Sequence, residues 1–578
     1  MKMTEQKQET ILENLEFVYG KEKGTAVFEQ VKSLVEHYRK KSLSPAKQWV
    51  DEKDIMVITY GDSIKEDGKA PLKSLKEFLQ EHTDGKINSV HILPFYPYSS
   101  DDGFSVIDYL KVNPDLGEWK DIHNLAEEFD IMFDAVINHI SSQSDWFKEY
   151  KNGNPAYEKF FVEADPEADY STITRPRALP LLTKVETTRG DKYVWTTFSE
   201  DQIDLNFEYE GTLLSILDIL AQYVEHGARY LRLDAIGFMW KKLGTTSIHL
   251  EETHRLVQIM RDALETIAPG TIIITETNVP HKDNISYFGN GHNEAHMVYQ
   301  FPLPPLTLQA FQTEDATHLT NWAGNLEPTT EDTTFFNFLA SHDGIGVRPV
   351  EGILNPEEVG VMVEKVKERG GNVSYKDNGD GTQSPYELNI NYLDALTIPG
   401  ESDEKKAHRF LAAQSILLSM MGVPGIYIHS LLGSRNDQEG VKESGRYRSI
   451  NREKLNRCKL EEEIMKKGSL RNLIFTEYKR FISVRTEEKA FHPNASQEVF
   501  FTDKRIFSMK RKNTKENSEV TVLVNVSGED VPVTLSGTNQ AGDRVKDLLS
   551  DKTFHKDSGN LKLTLAPFEV LWLKESKE

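Results

Sequence analysis

The sequence has little cysteine, no long apolar run and no excess of positive charge. Each of these absences argues against a class of protein. The 578 residues include 1 cysteine, Cys458, so no disulfide can form within the chain, which is typical of a reducing compartment. No apolar run approaches the roughly 18 residues that a membrane-spanning helix requires, and the polar N-terminus lacks an apolar signal core. We therefore expect a soluble, cytoplasmic protein without a membrane partner.

The charge balance argues against a nucleic-acid partner. Asp and Glu total 91 against 68 Lys and Arg, for a formal net charge of -23, whereas phosphate backbones attract clustered basic side chains. An anionic ligand would therefore need a local basic pocket. Hydrophobic residues at 38% supply a core, and the length predicts one large domain with one or two smaller units.

Short β-rich or apolar runs alternate with segments of helical spacing along most of the chain. The runs are 54–61, 89–95, 131–139, 228–235, 271–277, 295–301, 335–343 and 422–428. Helical spacing is found at 71–82, 118–129, 212–226, 249–268 and 405–421. Eight parallel strands alternating with helices form a (β/α)8 TIM barrel. An open, doubly wound sheet is the alternative.

The uneven spacing of these runs divides the chain into parts. A long gap after the third run indicates an inserted subdomain, and another after the seventh indicates an elaborated loop region. Alternation with turns near the C-terminus predicts an antiparallel β domain. The predicted parts are a helical N-terminal extension (1–50), barrel segments (51–143, 208–343 and 401–484), the insertion (144–207), the loop subdomain (344–400) and the C-terminal β domain (485–578).

Carboxylates and histidines lie where several of these runs end. Asp234 ends the fourth run, Glu276 the fifth and Asp343 the seventh, while His139 ends the third and His342 precedes Asp343. The carboxyl ends of barrel strands form the active-site face, so we expect these side chains in one cleft. One such residue alone could be a helix cap or a loop salt bridge. Three carboxylates at equivalent strand ends favour a catalytic site.

The motifs around these residues resemble glycoside hydrolase family 13, the α-amylase superfamily. The stretches "DAVINH", "LRLDA", "TETN" and "ASHD" are similar to the four conserved regions of that family and stand in the same order. The resemblance implies a barrel with an inserted domain B after the third strand. It also implies Asp234 as the nucleophile, Glu276 as the general acid/base and Asp343 as the carboxylate that stabilises the transition state.

The chemistry of glycosidic bonds requires these residue types. A retaining enzyme needs one acid to protonate the leaving oxygen and a carboxylate, about 5–5.5 Å away, to attack the anomeric carbon. Arg232 would keep Asp234 ionised, because a close cation favours the charged form. Glu276 must hold a proton, which requires desolvation or a neighbouring negative charge.

Further stretches resemble the sucrose phosphorylase subfamily more closely than amylases, among them "VHILPFYPYSSDDGF", "FPLPPL" and "YRSINRE". In that subfamily inorganic phosphate replaces water as the attacking group, so the product would be α-glucose 1-phosphate. The resemblance implies phosphate as co-substrate, no other cofactor, no metal, and a possible homodimer. The substrate-binding residues that the resemblance implies are Asp101, Phe104, His139, Arg232, His342 and Arg448.

Three positions depart from sucrose phosphorylases where the acceptor should bind. Asn278 replaces a histidine, Phe238 replaces a tyrosine, and Arg348 adds a cation where a neutral residue is expected. The runs "TETNVPHKDNISYFGNG" and "SHDGIGVRPVEGIL" resemble the glucosylglycerate phosphorylase branch. Glycerate carries a carboxylate, which a guanidinium pairs in bidentate fashion. Alternatives are a sucrose or sucrose 6'-phosphate phosphorylase, an α-glucosidase or transglucosidase, or a non-catalytic binding relative.

Phosphate needs a basic site in this acidic chain. Arg175 and Arg177, in "TRPRALP", lie in the inserted subdomain and are the best candidates. A surface pair beside a proline turn is the alternative, and Arg446 and Lys184 are further candidates. The segment 249–254, "HLEETH", predicts the start of a helix, and its nearness to the cleft leaves a role at the substrate open.

Overall fold

A closed barrel of parallel strands forms the centre of the structure, a computed structural model that describes residues 3–43, 47–177, 179–378, 381–536 and 544–575. Each strand pairs with its neighbours in chain order, and the last pairs with the first. The strands are β1 (Met56–Thr59), β2 (Ser89–Ile92), β3 (Asp130–Ala135), β4 (Ala228–Leu233), β5 (Ile272–Thr275), β6 (Met297–Tyr299), β7 (Thr334–Asn337) and β8 (Val423–Tyr427). The predicted TIM barrel is confirmed, and the open sheet is excluded.

Burial explains why the strands read as nearly continuous apolar runs. Strands β1, β2, β4 and β5 are buried at every residue, because helices cover the outside of the barrel and side chains fill its interior. The principal helices around the barrel are Pro71–His82, Trp119–Ala126, Glu210–Glu225, Glu251–Ile267, Leu303–Thr313, Asp403–Ser419 and Leu470–Glu487.

Domain B leaves the barrel after β3. That strand ends at Ala135, so His139 does not belong to it, as the sequence predicted, but begins the first strand of the insertion. This strand pairs with one that returns the chain toward β4. The elements of domain B are the strands His139–Ser141 and Gln202–Asp204, the helix Asp145–Lys151, and the hairpin Leu182–Thr187 and Gly190–Trp195.

A second excursion follows β7 and builds the opposite wall of the cleft. Its three strands form an antiparallel sheet. Gly344 allows a close approach here, since a Cβ at this position would lie 2.5 Å from Glu387 Cγ. The elements of the excursion are the strands Ile345–Gly346, Asn372–Asp377 and Gln383–Asn389, the 3-10 helix Arg348–Val350, and the helices Pro356–Glu368 and Tyr392–Leu396.

The two ends of the chain pack on the barrel from outside. The N-terminal helices Glu5–Tyr19 and Lys21–Arg39 contact two barrel helices, and the Tyr38 hydroxyl donates to Asp218 Oδ1 at 2.7 Å. The C-terminal part is antiparallel, as predicted, with strands at Ser496–Val499, Ile506–Asn513, Ser518–Asn525, Val531–Leu535, Arg544–Asp547, Thr553–His555, Leu561–Leu565 and Val570–Glu575. None of the helices in the described ranges has the length and hydropathy needed to cross a membrane.

Short elements complete the loops around the barrel. The strands Ile64–Lys65 and Leu455–Asn456 form a parallel pair. The remaining helices are His281–Ile285, Thr317–Gly324, Ile428–Leu431, Gln438–Ser444 and Arg457–Met465, with 3-10 turns at Asp101–Gly103, Ile236–Phe238, Ser286–Phe288, Tyr447–Asn451 and Lys489–Phe491.

Candidate active site

A cleft opens at the carboxyl ends of the barrel strands, between domain B and the excursion after β7. Most residues that the sequence predicted for a site line this one cleft. They are Asp101, Phe104, His139, Arg177, Asp234, Glu276, His342, Asp343, Arg348 and Arg448. Phe238 and Asn278, the two replaced positions, line it as well.

Arg232 lies beneath the cleft and links its acidic residues. Its Nη1 is 2.7 Å from Asp234 Oδ1 and 2.5 Å from Asp134 Oδ1, and its Nη2 is 3.9 Å from Glu276 Oε2. The second oxygen of Asp134 is 2.6 Å from His91 Nε2. Arg232 is 3% exposed, and a buried charge of this kind is tolerated only when it is paired and hydrogen-bonded. Arg232 thus holds the carboxylate of Asp234 in one orientation.

Backbone pairing brings Glu276 next to Asp234. The Glu276 N–H donates to Leu233 O at 3.1 Å, and the Ala235 N–H donates to Glu276 Oε2 at 3.0 Å. Ala235 has φ 48, a left-handed conformation that turns the chain directly after Asp234. The two carboxylates therefore face the same space.

Burial and mutual repulsion change the protonation of this pair. Burial raises the pKa of Glu276 to about 7, against the charge of Arg232 and with the help of Asp234. Burial also raises the pKa of Asp234, although its direct ion pair with Arg232 opposes that rise. The shorter distance to Arg232 makes Asp234 the more readily ionised of the two, so a proton shared by the pair resides on Glu276.

Asp343 lies across the cleft and is held by Arg448. The Nη1 of Arg448 is 2.6 Å from Asp343 Oδ1, while its Nε and Nη2 donate to both oxygens of Glu387 at 3.0 and 2.7 Å. Burial acts to raise the pKa of Asp343, but the charges of Arg448, Arg452 and Arg232 outweigh it and lower that pKa. Sequence reasoning missed Glu387, because no motif marks this residue within the strand Gln383–Asn389.

Aromatic and imidazole rings form the floor of the cleft. The rings of Phe104 and His342 stack at 4.8 Å between centroids with 8° between planes. His139 Nε2 lies 2.8 Å from Phe104 O, and Gln202 Nε2, which sequence reasoning missed, donates to the same oxygen at 3.0 Å. Burial lowers the pKa of His139 and lowers that of His342 to about 3, so both imidazoles are neutral near pH 7.

Asp101 and the predicted phosphate residues lie at the domain B side. Arg177 Nη2 is 3.0 Å from Asp101 Oδ2; burial opposes ionisation of Asp101, but Arg177 outweighs it and lowers its pKa to about 2. Arg175 is exposed, donates to the carbonyl of Leu179, and is not among the residues that line the cleft. Lys184 pairs with Asp191 at 2.7 Å on the exposed hairpin. The structure therefore brings Arg177, but not Arg175 or Lys184, to the cleft.

Arg348 differs from the other arginines that line the cleft. Arg448 and Arg177 are paired with carboxylates. In the part of the chain that the structure describes, no carboxylate oxygen lies within 4.0 Å of a guanidinium nitrogen of Arg348. Arg348 is half-buried and therefore adds to the cleft a positive charge that no described carboxylate pairs directly.

A buried lysine joins domain B to the barrel beside the predicted site. Lys241 Nζ donates to Asn138 Oδ1 at 2.8 Å and lies 2.9 Å from Asp204 Oδ2. Burial lowers the pKa of Lys241, and the charge of Asp204 opposes that change. This ammonium supplies positive charge to a polar cluster that contains His139, whose Nδ1 is 3.3 Å from Asn138 Nδ2.

Comparison with known proteins identifies a family whose chemistry agrees with this geometry. The sequence model of the family described as "Alpha amylase, catalytic domain" matches residues 72–347. A glucosylglycerate phosphorylase from Spirochaeta thermophila is 44% identical over 97% of this chain and 97% of its own length. The chain belongs to glycoside hydrolase family 13. A second family member, a glucosylglycerate phosphorylase from Allomeiothermus silvanus, is 48% identical over 86% of this chain and 89% of its own length.

A solved family 13 structure shows the same fold. The crystal structure of sucrose 6F-phosphate phosphorylase from Thermoanaerobacter thermosaccharolyticum superposes with a TM-score of 0.72, at 24% identity, over 83% of this chain and 96% of that one. The family resemblance that the four motifs predicted is confirmed.

The pairing of Arg448 with both Asp343 and Glu387 leads to a prediction on stability. Arg448→Gln removes the cation between two carboxylates and leaves only the more distant Arg452, 3.8 Å from Asp343 Oδ1. We expect this change to destabilise the fold by about 2 kcal/mol. The double variant Arg448→Gln, Glu387→Gln removes one of the charges and should recover part of that loss. Thermal unfolding monitored by calorimetry measures both. Equal melting temperatures for the single and double variants would show that Arg448 does not neutralise this pair.

Proposed function

We propose that this chain is a retaining α-glucosyl phosphorylase that converts 2-O-α-D-glucosylglycerate and inorganic phosphate to α-D-glucose 1-phosphate and D-glycerate, reversibly. The observation that carries this proposal is that Arg348, which has no salt-bridge partner among the described residues, lines a cleft whose three carboxylates suit glucosyl transfer. The identity to two glucosylglycerate phosphorylases over most of the chain supports it. No cofactor besides phosphate and no metal enters the reaction.

In the first half-reaction, Glu276 donates its proton to the glycosidic oxygen while Asp234 attacks the anomeric carbon. The bond from carbon to the glycerate oxygen breaks, D-glycerate leaves, and a β-glucosyl ester forms on Asp234. Glu276 is suited to donate, because burial keeps its pKa at about 7. Asp234 is suited to attack, because the ion pair with Arg232 at 2.7 Å points its carboxylate at the space shared with Glu276.

In the second half-reaction, a phosphate oxygen attacks the anomeric carbon and the ester bond to Asp234 breaks. Glu276, now ionised, accepts the proton of an incoming hydrogen phosphate, and two inversions leave the α configuration. We place the phosphate near Arg177, which reaches the cleft from domain B. Arg175 lies on the same loop and would contribute charge from outside the cleft.

The glucosyl ring would occupy the space above Phe104 and His342. Asp343 is the carboxylate that stabilises the cationic transition state, since its lowered pKa keeps it negative. His139, Asp101 and Arg448 would complete the glucose pocket through hydrogen bonds to ring hydroxyls. We further propose that the enzyme works in the cytoplasm. The homodimer that the resemblance implies stays a prediction.

The acceptor proposal predicts the effect of changing Arg348. Wild-type protein with phosphate should release glucose 1-phosphate from glucosylglycerate far faster than from sucrose, sucrose 6'-phosphate or glucosylglycerol. Arg348→Gln should lower kcat/KM for glucosylglycerate by about 10- to 100-fold, because a hydrogen-bonded ion pair to the carboxylate is lost. Arg348→Lys should recover part of it, since it retains charge but not the bidentate geometry.

Glucosylglycerol is the matched neutral substrate for this test, because it differs in lacking the carboxylate. An equal loss on glucosylglycerate and glucosylglycerol would contradict the assignment of Arg348. Efficient phosphorolysis of sucrose but not glucosylglycerate would replace the proposed acceptor by fructose. Glucose release at a rate indifferent to phosphate would identify a hydrolase.

The raised pKa of Glu276 predicts the pH dependence of the reaction. The group must be protonated to act as an acid, so kcat/KM for glucosylglycerate should fall as pH rises through about 7. An α-glucosyl fluoride has a leaving group that needs much less protonation, so its alkaline decline should be weaker. Glu276→Gln should lose far more activity on glucosylglycerate than on the fluoride. Identical pH profiles for both donors would contradict the role of Glu276.

A further inference from the structure

His249 enters the cleft from the loop between β4 and the helix Glu251–Ile267. It lines the same cavity as Arg348, Asn278 and Glu276. Its backbone has φ 55, a left-handed conformation that a non-glycine residue adopts at a cost. The His249 N–H donates to Gly237 O at 3.0 Å, which anchors this conformation.

The imidazole of His249 is held by a buried tyrosine. His249 Nδ1 is 2.7 Å from the hydroxyl of Tyr287, which lies in the 3-10 turn Ser286–Phe288 and is fully buried. Among the described residues, this hydroxyl has no other hydrogen-bond partner. A buried hydroxyl without a second acceptor must donate to Nδ1, because its hydrogen would otherwise remain unsatisfied. The ring proton of His249 therefore lies on Nε2.

Neighbouring groups fix the position of this pair. A side chain at Gly237 would place its Cβ 3.0 Å from His249 Cε1 and would crowd the ring, so glycine suits this position. On the other side, the ring of His254 stacks on Tyr287 at 4.6 Å with 23° between planes. His254 is itself 2.7 Å from Glu294 Oε2.

The imidazole of His249 is neutral near pH 7 and can donate a hydrogen bond. Burial, His254 and Arg348 lower its pKa to about 4, and Asp283 opposes them. Near pH 7 the imidazole is therefore uncharged and carries one N–H. That N–H is free of Tyr287, which occupies the other nitrogen.

We propose that His249 is a specificity-determining residue of the acceptor subsite, where its Nε2–H donates to an oxygen of the glycerate acceptor beside Arg348, and that Tyr287 is the positioning residue that fixes its tautomer. This inference rests on the proposed function and extends it. Arg348 supplies charge and His249 supplies a directed hydrogen bond, so together they would select an acceptor by its carboxylate and by the place of its oxygens.

The test compares three reactions of the same glucosyl-enzyme. Synthesis from glucose 1-phosphate uses D-glycerate or glycerol as acceptor, and arsenolysis of glucose 1-phosphate uses arsenate and no organic acceptor. His249→Phe should lower kcat/KM for D-glycerate about 10-fold more than it lowers arsenolysis, the effect of one hydrogen bond to a charged acceptor. His249→Gln, which keeps a donor near the position of Nε2, should recover most of this difference.

Tyr287→Phe tests the positioning role, because it keeps the ring that stacks on His254 and removes only the hydroxyl. It should give a smaller shift in the same direction, mainly in the KM for D-glycerate. His292→Phe is the matched control. The side chain of this histidine is 53% exposed and pairs with Asp332 at 2.6 Å. Its replacement should therefore leave the ratio of synthesis with D-glycerate to arsenolysis unchanged.

Two outcomes would overturn the inference. Equal losses in synthesis and arsenolysis would mean that His249 only maintains its loop, and a larger loss in arsenolysis would assign it to phosphate. Failure of the wild-type protein to use D-glycerate would instead refute the proposed function, and that result is read before any variant is made.

Discussion

The buried guanidinium of Arg232 is the constraint on which the site depends. It lies 2.7 Å from Asp234 and 2.5 Å from Asp134, carboxylates that follow or belong to adjacent strands. Burying such charges costs several kcal/mol per ion, and only close pairing offsets it. The barrel therefore holds Asp234 in one orientation. With Asp234 fixed, backbone pairing of β4 with β5 brings Glu276 beside it. Burial, helped by repulsion from Asp234, raises the pKa of Glu276 to about 7 and so keeps a proton on it.

We propose that charge compensation decides which ligands the cleft accepts. In a chain of net charge -23, the cleft arginines Arg448 and Arg177 already have carboxylate partners of their own. These pairs order the pocket. Arg348, without such a partner among the described residues, is the cation that we propose meets an anionic acceptor. In the same proposal His249 adds direction to that attraction, since its Nδ1 is occupied by Tyr287.

The barrel and the three acids were predictable from sequence because both follow simple periodic rules. Eight buried strands leave apolar runs, and residues just after those runs must meet at one face. His139 was placed on the wrong element, because the apolar run continues past the end of β3 into domain B. Lys241 follows β4 closely, but the sequence does not show that it is buried beside Asp204. Glu387 and Gln202 had no signal, since they reach the site only through tertiary folding of the excursions. The same folding leaves Arg175 outside the cleft.

Trapping the glucosyl-enzyme intermediate tests the central claim most directly. A fluorinated α-glucosyl fluoride, which slows breakdown of the intermediate, is incubated with the enzyme and the digested protein is analysed by peptide mass spectrometry. The account predicts one added fluoroglucosyl group, on Asp234. Label on Glu276 or Asp343, or continued turnover with no labelled carboxylate, would contradict it.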